Sequence, residues 1–319
     1  MFEEAPKLRD FTCHHGDLAS IVLPWAQLAH CDIGARPMAE YLAILPKLPN
    51  LVKLKIELSF HDSAVPSNET IVVLPRLTKL EIDMIPDPSA LLNHLTLPSL
   101  ADIRHDTRWT DPHSWFDTYS WDLSSVRSLV SRSSCCVTSL ALPITLISID
   151  EARVLFSLTP ELTRLESNHY SDGNWALFER RKGTNQALLP KLKVLRMDFV
   201  RGTHVGPAFM KTIISRWALT PQEKELGAVQ LERFIYVVPT RLDQGDLRGH
   251  NHRCRFLLAL QAQGLDVKVL EINVDGPDDS DEEYLNYEYN YHGSDDDDHS
   301  DTDSSSYEDD TDDEHDLFD

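Results

Sequence analysis

Leu74-Pro75-Arg76-Leu77-Thr78-Lys79-Leu80-Glu81-Ile82 decides how this chain folds, because the phrase does not stand alone. Leu48-Pro49-Asn50-Leu51-Val52-Lys53-Leu54-Lys55-Ile56 repeats it, and Leu189-Pro190-Lys191-Leu192-Lys193-Val194-Leu195-Arg196-Met197 differs only in its last apolar residue. Looser copies begin at Leu8, Leu28, Leu100, Val137, Leu162, Leu231 and Val267. Numbered by the first apolar residue of each Leu-x-x-Leu unit, the copies start at 8, 28, 51, 77, 100, 137, 162, 192, 231 and 267. The shorter steps between them match the roughly 20–29-residue period of leucine-rich repeats, and the longer ones hold the same unit plus an insertion.

Within a unit, Leu54-Lys55-Ile56-Glu57-Leu58 alternates apolar and polar residues, the period-two pattern of a half-buried strand. The proline precedes the strand, where its missing N–H costs no ladder hydrogen bond. Helical segments are expected at Pro37–Leu45, at Ile149–Leu158 with Asp150 as cap, and at Val205–Trp217, whose apolar residues recur with a 3.6-residue period. Strand then helix, repeated, predicts an α/β leucine-rich-repeat solenoid, with parallel strands on a concave face and helices on a convex one. It comprises about ten irregular repeats over residues 1–275. The rival is a doubly wound α/β domain, but that fold needs no shared strand phrase.

Charge is unevenly placed. The chain has 319 residues and a formal net charge of −22. Residues 278–319 hold 20 acidic side chains and no Lys or Arg, while the first 277 hold 32 acids and 30 bases. Residues 276–319 therefore read as a disordered acidic tail, too poor in apolar residues to offset the entropy of ordering. The near-neutral body argues against nucleic-acid and membrane-surface partners. No apolar run is long enough for a membrane span, and Met1–Pro6 does not resemble a secretory signal. Five cysteines without regular spacing (Cys13, Cys31, Cys135, Cys136 and Cys254) fit reduced thiols in a cytoplasmic or nuclear protein.

The Leu-Pro-x-Leu-x-x-Leu phrases, uneven repeat lengths and short intervening helices resemble the leucine-rich-repeat region of fungal (basidiomycete-type) F-box proteins. The resemblance covers roughly residues 1–275. In that family an N-terminal F-box docks on the SCF ubiquitin ligase and the repeats recruit a substrate. Here no Leu-Pro-x-Glu-Ile/Leu segment precedes the repeats, so the F-box itself is absent from the resemblance. The implied function is protein–protein recognition, with ubiquitin-ligase subunits as partners where an upstream F-box exists. The alternative is a stand-alone scaffold, or a binder of basic proteins through the acidic tail.

On each strand the residues alternating with the core leucines should face a partner. These are Lys53, Lys55 and Glu57; Lys79, Glu81 and Asp83; Asp102, Arg104 and Asp106; Arg164, Glu166 and Asn168; Arg196 and Asp198; and Glu271 and Asn273. They read either as a solvated face of cross-strand ion pairs or as a surface selected by charge. A second candidate surface is the insertion carrying Trp109, Trp115 and Trp121, since aromatics dominate interface energetics, although they equally serve to fold a long loop. In the tail, Ser280, Ser306 and Thr311 are followed by acids and suit acid-directed kinases. His250, His252 and Cys254 alternate, yet Arg255–Leu260 reads as a helix and a fourth ligand is missing, so no metal is expected. Neither a Gly-rich phosphate loop nor a Gly-x-Ser-x-Gly elbow occurs, and no cofactor or enzymatic activity is expected.

Overall fold

Five tight turns set the starts of five strands. In Leu48–Leu51, Leu74–Leu77, Leu97–Leu100, Thr159–Leu162 and Leu189–Leu192 the amide of the fourth residue donates to the carbonyl of the first, at 3.2, 3.3, 3.1, 3.1 and 3.3 Å. Proline is the second residue of each. Its fixed φ suits that position, and the turn makes no use of the N–H it lacks. The computed structural model describes residues 7–16, 18–58, 71–83, 88–106, 123–143, 148–168, 175, 177–180, 188–198, 207–225, 227–239 and 254–272. They lie in the first of two units, Met1–Val274, while the second, Asp275–Asp319, falls outside them together with the tail.

The strands are β1 (Asp10–Cys13), β2 (His30–Arg36), β3 (Lys53–Leu58), β4 (Val72–Val73), β5 (Lys79–Asp83), β6 (Leu95–Thr96), β7 (Asp102–Asp106), β8 (Ser139–Pro143), β9 (Arg164–Asn168), β10 (Val194–Asp198), β11 (Arg233–Pro239) and β12 (Asp266–Ile272). Ten of them form one sheet in the order β1-β2-β3-β5-β7-β8-β9-β10-β11-β12, and β4 pairs with β6 in a small second sheet. Every pairing between described strands is parallel. Neighbours in the large sheet follow chain order without a reversal, unlike the switch point of a doubly wound sheet. The fold is α/β, with helices α1 (Met38–Ile44), α2 (Ser89–Asn93), α3 (Leu123–Ser133), α4 (Ile149–Leu158), α5 (Pro207–Trp217), α6 (Pro221–Glu225) and α7 (254–262) between strands.

Register is uniform across the sheet. Phe11, Cys31, Leu54, Leu80, Ile103, Leu140, Leu165, Leu195, Phe234 and Val267 form one rung. This rung faces a single core cluster with Tyr41 of α1, Leu91 and Leu92 of α2, Leu129 of α3, Leu155 and Phe156 of α4, and Phe209 and Ile213 of α5. All the helical contributions therefore lie on one side of the sheet. Near the C-terminal strands the core turns aromatic, with Trp175 and Phe209 edge to face at 4.9 Å and Phe209 and Phe234 at 5.8 Å.

Several local expectations need correction. The last repeat begins three residues earlier than the sequence phrase suggests. Val267 pairs with Phe234, so it takes the place of the second leucine, and Gly264 stands where Leu231 stands in the preceding unit. Gly264 has φ +106°, a conformation that favours glycine, and ends α7 by donating to the Gln261 carbonyl at 2.9 Å. Helix α4 is capped by Ser148, not Asp150. Its hydroxyl accepts from the Glu151 amide, and the Glu151 carboxylate accepts from the Ser148 amide, the two halves of a capping box. Helix α3, with Leu123, Val126, Leu129 and Val130 buried at helical spacing, was not anticipated.

Where β2 slips in register between Ile33 and Arg36, the buried Tyr41 hydroxyl lies 2.8 Å from the Gly34 carbonyl and 2.6 Å from that of Glu57. At Gly34 a Cβ would stand 2.6 Å from the His14 Cα, so the backbone of the neighbouring segment leaves no room for a side chain. Leu80→Ala should cost about 2–5 kcal/mol through the cavity it leaves, and Gly34→Ala about 1–3 kcal/mol through crowding. Both should lower the urea midpoint, and an unchanged midpoint in Gly34→Ala would contradict the close approach.

Candidate functional site on the polar face of the sheet

The face opposite the core is built from rungs aligned as strictly as the leucines. One rung runs Asp10, His30, Lys53, Lys79, Asp102, Ser139, Arg164, Val194, Arg233 and Asp266. The next, two residues along each strand, runs Thr12, Asp32, Lys55, Glu81, Arg104, Ala141, Glu166, Arg196, Ile235 and Lys268. A third pairs Glu57 with Asp83 and Asp83 with Asp106, and Asn168 with Asp198. By register, Lys53, Lys55, Glu57, Lys79, Glu81, Asp83, Arg104, Glu166, Arg196 and Asp198, the expected partner-facing residues, therefore fall in these three rungs.

Charges along these rungs are connected. Glu81 binds Lys53 at 3.1 Å and Lys79 at 2.5 Å, and Lys79 reaches Asp102 at 3.9 Å. Arg104 lies 3.4 Å from Asp102 and 3.3 Å from Glu166. Glu166 also meets Arg164 at 2.5 Å and Arg196 at 3.8 Å. Arg104 spans β8 because that strand offers only Ser139 and Ala141 in these rungs. A side branch joins Lys55 to Asp83 at 2.9 Å and Asp32 at 3.8 Å. Pairs that remain half exposed contribute about 0–1 kcal/mol each. Glu166 differs, since its side chain is 10% exposed and three guanidiniums converge on it.

Two titration shifts follow from this packing. Burial raises the Glu81 pKa, but hydrogen bonds from Lys79 and Lys53 outweigh it, and the net direction is down from 4.5. The Lys55 pKa rises above 10.5, with the hydrogen bond to Asp83 the largest cause.

Two corrections concern the far end of the face. Glu271 was expected to face outward, but its register partner is the core residue Val238, a consequence of the three-residue shift in the last repeat. Lys268 and Leu270 take the outward rungs of β12, and Ile235 and Val237 those of β11, so the face turns partly apolar there. Asn273, the tryptophans Trp109, Trp115 and Trp121, and the phosphorylation candidates Ser280, Ser306 and Thr311 lie outside the described residues.

A buried cation was also missed. Arg216 of α5 is 2% exposed and donates to the carbonyls of Phe178, Leu189 and Leu188 at 2.7, 3.0 and 2.5 Å. Burial, and secondarily Arg180, pulls its pKa down to about 9. Spacing held the clue, because Arg216 follows the buried Phe209 and Ile213 on one helical stripe. The guanidinium ties α5 to the turn that starts β10.

Other chemistry is sparse. Burial, then the charge of Asp10, pushes the Cys31 thiol up to about 12, which leaves it protonated and unreactive. Among the described residues no group of three or more His, Cys, Asp or Glu could hold a metal. Among them, too, no helix is long and apolar enough to cross a membrane. A depression of about 410 Å³ is lined by Arg127, Ser128, Ser131, Arg132 and Leu158. Arg132 there donates to the carbonyl of Leu92 in α2 and to that of Leu95 in β6. Comparison of the chain with family models, with curated proteins and with solved structures gives no match.

Glu81 contributes stability that is fully present above its unfolded value of 4.5 and lost as pH falls through its lower folded value. Glu81→Gln should therefore flatten the decline of Tm with acid below pH 4.5, the window set by that reference value. A decline as steep as in wild type would contradict the assignment. At the core end, Arg216→Ala should cost about 3 kcal/mol or more, because three buried carbonyls lose their donors. Denaturant melts of the variant against wild type measure it.

Proposed function

We propose that this protein is a leucine-rich-repeat solenoid that binds a protein partner across the polar face of its sheet. By resemblance it acts as the substrate-binding region of an F-box adaptor of an SCF ubiquitin ligase. The observation that carries the reading is the strand order. Ten parallel strands laid down in chain order bring one residue of each repeat into each outward rung, most of them polar. That gives a continuous surface whose side chains vary independently of the core. A surface of this kind selects partners through the pattern of charge, which acts on specificity and association rate more than on raw affinity. Ubiquitin-ligase subunits belong among the partners only where an F-box precedes the repeats.

The acidic tail supports a second reading, a scaffold or binder of basic proteins. Its 20 acids without a single Lys or Arg would attract a basic chain on their own.

Affinity purification with three proteins separates the two: wild type, a chain lacking residues 278–319, and a full chain carrying Lys55→Ala and Lys79→Ala. Face recognition requires that specific partners survive the tail deletion and are lost from the double variant, while its Tm stays within about 3 °C of wild type. Partners lost only with the tail would favour the second reading.

A further inference from the structure

We propose that Arg180, beside helices α5 and α6, is the receptor for a single carboxylate supplied from outside the chain. The site is separate from the polar rungs of the sheet and stands independently of the function proposed for them.

The backbone at the site is fixed by α5. The Thr212 hydroxyl donates to the Trp175 carbonyl at 2.8 Å, Arg216 donates to that of Phe178 at 2.7 Å, and the Arg180 amide donates to the Ser215 hydroxyl at 3.1 Å. Arg180 is thereby drawn just under the surface, with 5% of it exposed. Its Nε and Nη1 are enclosed, and among the described residues neither has a hydrogen-bond partner. A guanidinium stays charged, and enclosing that charge without acceptors is costly. Arg216 shows the contrast. That arginine spends its donors on three carbonyls, whereas Arg180, near enough to repel it, leaves two nitrogens unused. A fold that needed only a second anchor here would supply acceptors, as it does for Arg216. An arginine held in place with donors in reserve is arranged for an anion that arrives later.

Charge selects the anion. Burial lowers the Arg180 pKa, and the charge of Glu223 on α6 opposes the shift. Glu223 acts by charge, and its Oε2 accepts from the Thr220 amide and hydroxyl, both at 2.8 Å. Two guanidiniums and one carboxylate leave one positive charge over, which suits a singly charged ligand. From Arg181 to Leu189 the chain contains no acidic residue that could supply it. Geometry agrees, because Nη2 shares one edge of the guanidinium with Nε and the other with Nη1. A carboxylate that reaches Nη2 with one oxygen therefore meets an unused nitrogen with the other, the forked pairing that arginine favours. A phosphoryl group would bring a second negative charge, which Glu223 repels.

Thermal melts of the full chain test the site when sodium chloride is exchanged for sodium acetate or sodium phosphate at constant ionic strength. Wild type should melt about 2 °C or more higher in acetate than in chloride, while Arg180→Met should melt alike in both. The side-chain Nε–H resonances of arginine give a readout that does not depend on that variant. One of them should shift on titration of wild type with acetate and be missing from Arg180→Lys. Fluorescence anisotropy of labelled peptides alternating Ala with Glu or Gln separates the sources of the carboxylate. Binding of the Glu peptide about tenfold more tightly than the Gln peptide identifies a side chain of a protein partner, and an acetate response without that preference identifies a small free carboxylate. The proposal is overturned if neither acetate nor the Glu peptide moves the melt or an arginine Nε–H resonance of wild type. It is overturned equally if Arg180→Met responds as wild type does, or if phosphate alone stabilises the chain.

Discussion

From β1 to β11 one carbonyl ahead of each strand accepts two amides from the next repeat, and the rest of the structure follows from that pairing. The carbonyl of Arg9 takes the amides of Ala29 and His30, that of Ala29 takes Val52 and Lys53, and that of Val52 takes Thr78 and Lys79. Thr78, Ala101, Thr138, Thr163 and Lys193 continue the series at 2.8–3.1 Å. Thr78, Thr138 and Thr163 each add a hydroxyl to the preceding carbonyl, at 3.2, 3.3 and 3.0 Å. Because these bonds lie at the start of each strand, they set register before the ladder is built. A slip of one residue would turn every leucine to the polar face and every charge to the core. Register is therefore fixed twice, by hydrogen bonding at the strand start and by burial along it.

Insertions are tolerated for the same reason. Between β7 and β8 the chain runs from Asp106 to Ser139, and between β10 and β11 from Asp198 to Arg233, yet both pairs meet in unshifted register. Extra residues are accommodated between one strand's end and the next strand's start, where they do not touch the carbonyl pairing. Arg216 extends the principle. Its three bonds to the carbonyls of Phe178, Leu188 and Leu189 hold inserted chain against α5 directly ahead of β10. Among the described residues no carboxylate pairs with Arg216; burying such a cation is costly, and three carbonyl acceptors offset it.

Strands were legible because the phrase carries both determinants: the proline that shapes the turn and the leucines that fill the core. The outward rungs were legible for the same reason, since period-two alternation fixes the faces once the leucines are placed. The last repeat was misread because its sequence departs from the phrase at the deciding position. Gly264 ends a helix with positive φ where other units use an apolar residue, so counting from Val267 missed that Glu271 is in register with the core residue Val238. Helix α3 was missed because it holds five serines, and two of them, Ser125 and Ser133, are buried and dilute the apolar stripe of Leu123, Val126, Leu129 and Val130. Ion-pair connectivity lay beyond sequence reasoning altogether. Which arginine meets which carboxylate depends on lateral reach across strands that are far apart in the chain.

That reach has a consequence for how the face responds to change. Arg104 and Glu166 are 62 residues apart in sequence and on strands that do not touch, yet they bond because β8 presents no obstacle at Ala141. The charges from Lys53 on β3 to Arg196 on β10 thereby form one connected set and not separate pairs. Removing a member shifts the partners of its neighbours, so substitutions within the set should couple while those outside it add independently. A larger residue at 141 would cut the set in two. The smallest side chain on the face thus governs how far electrostatic coupling extends across it.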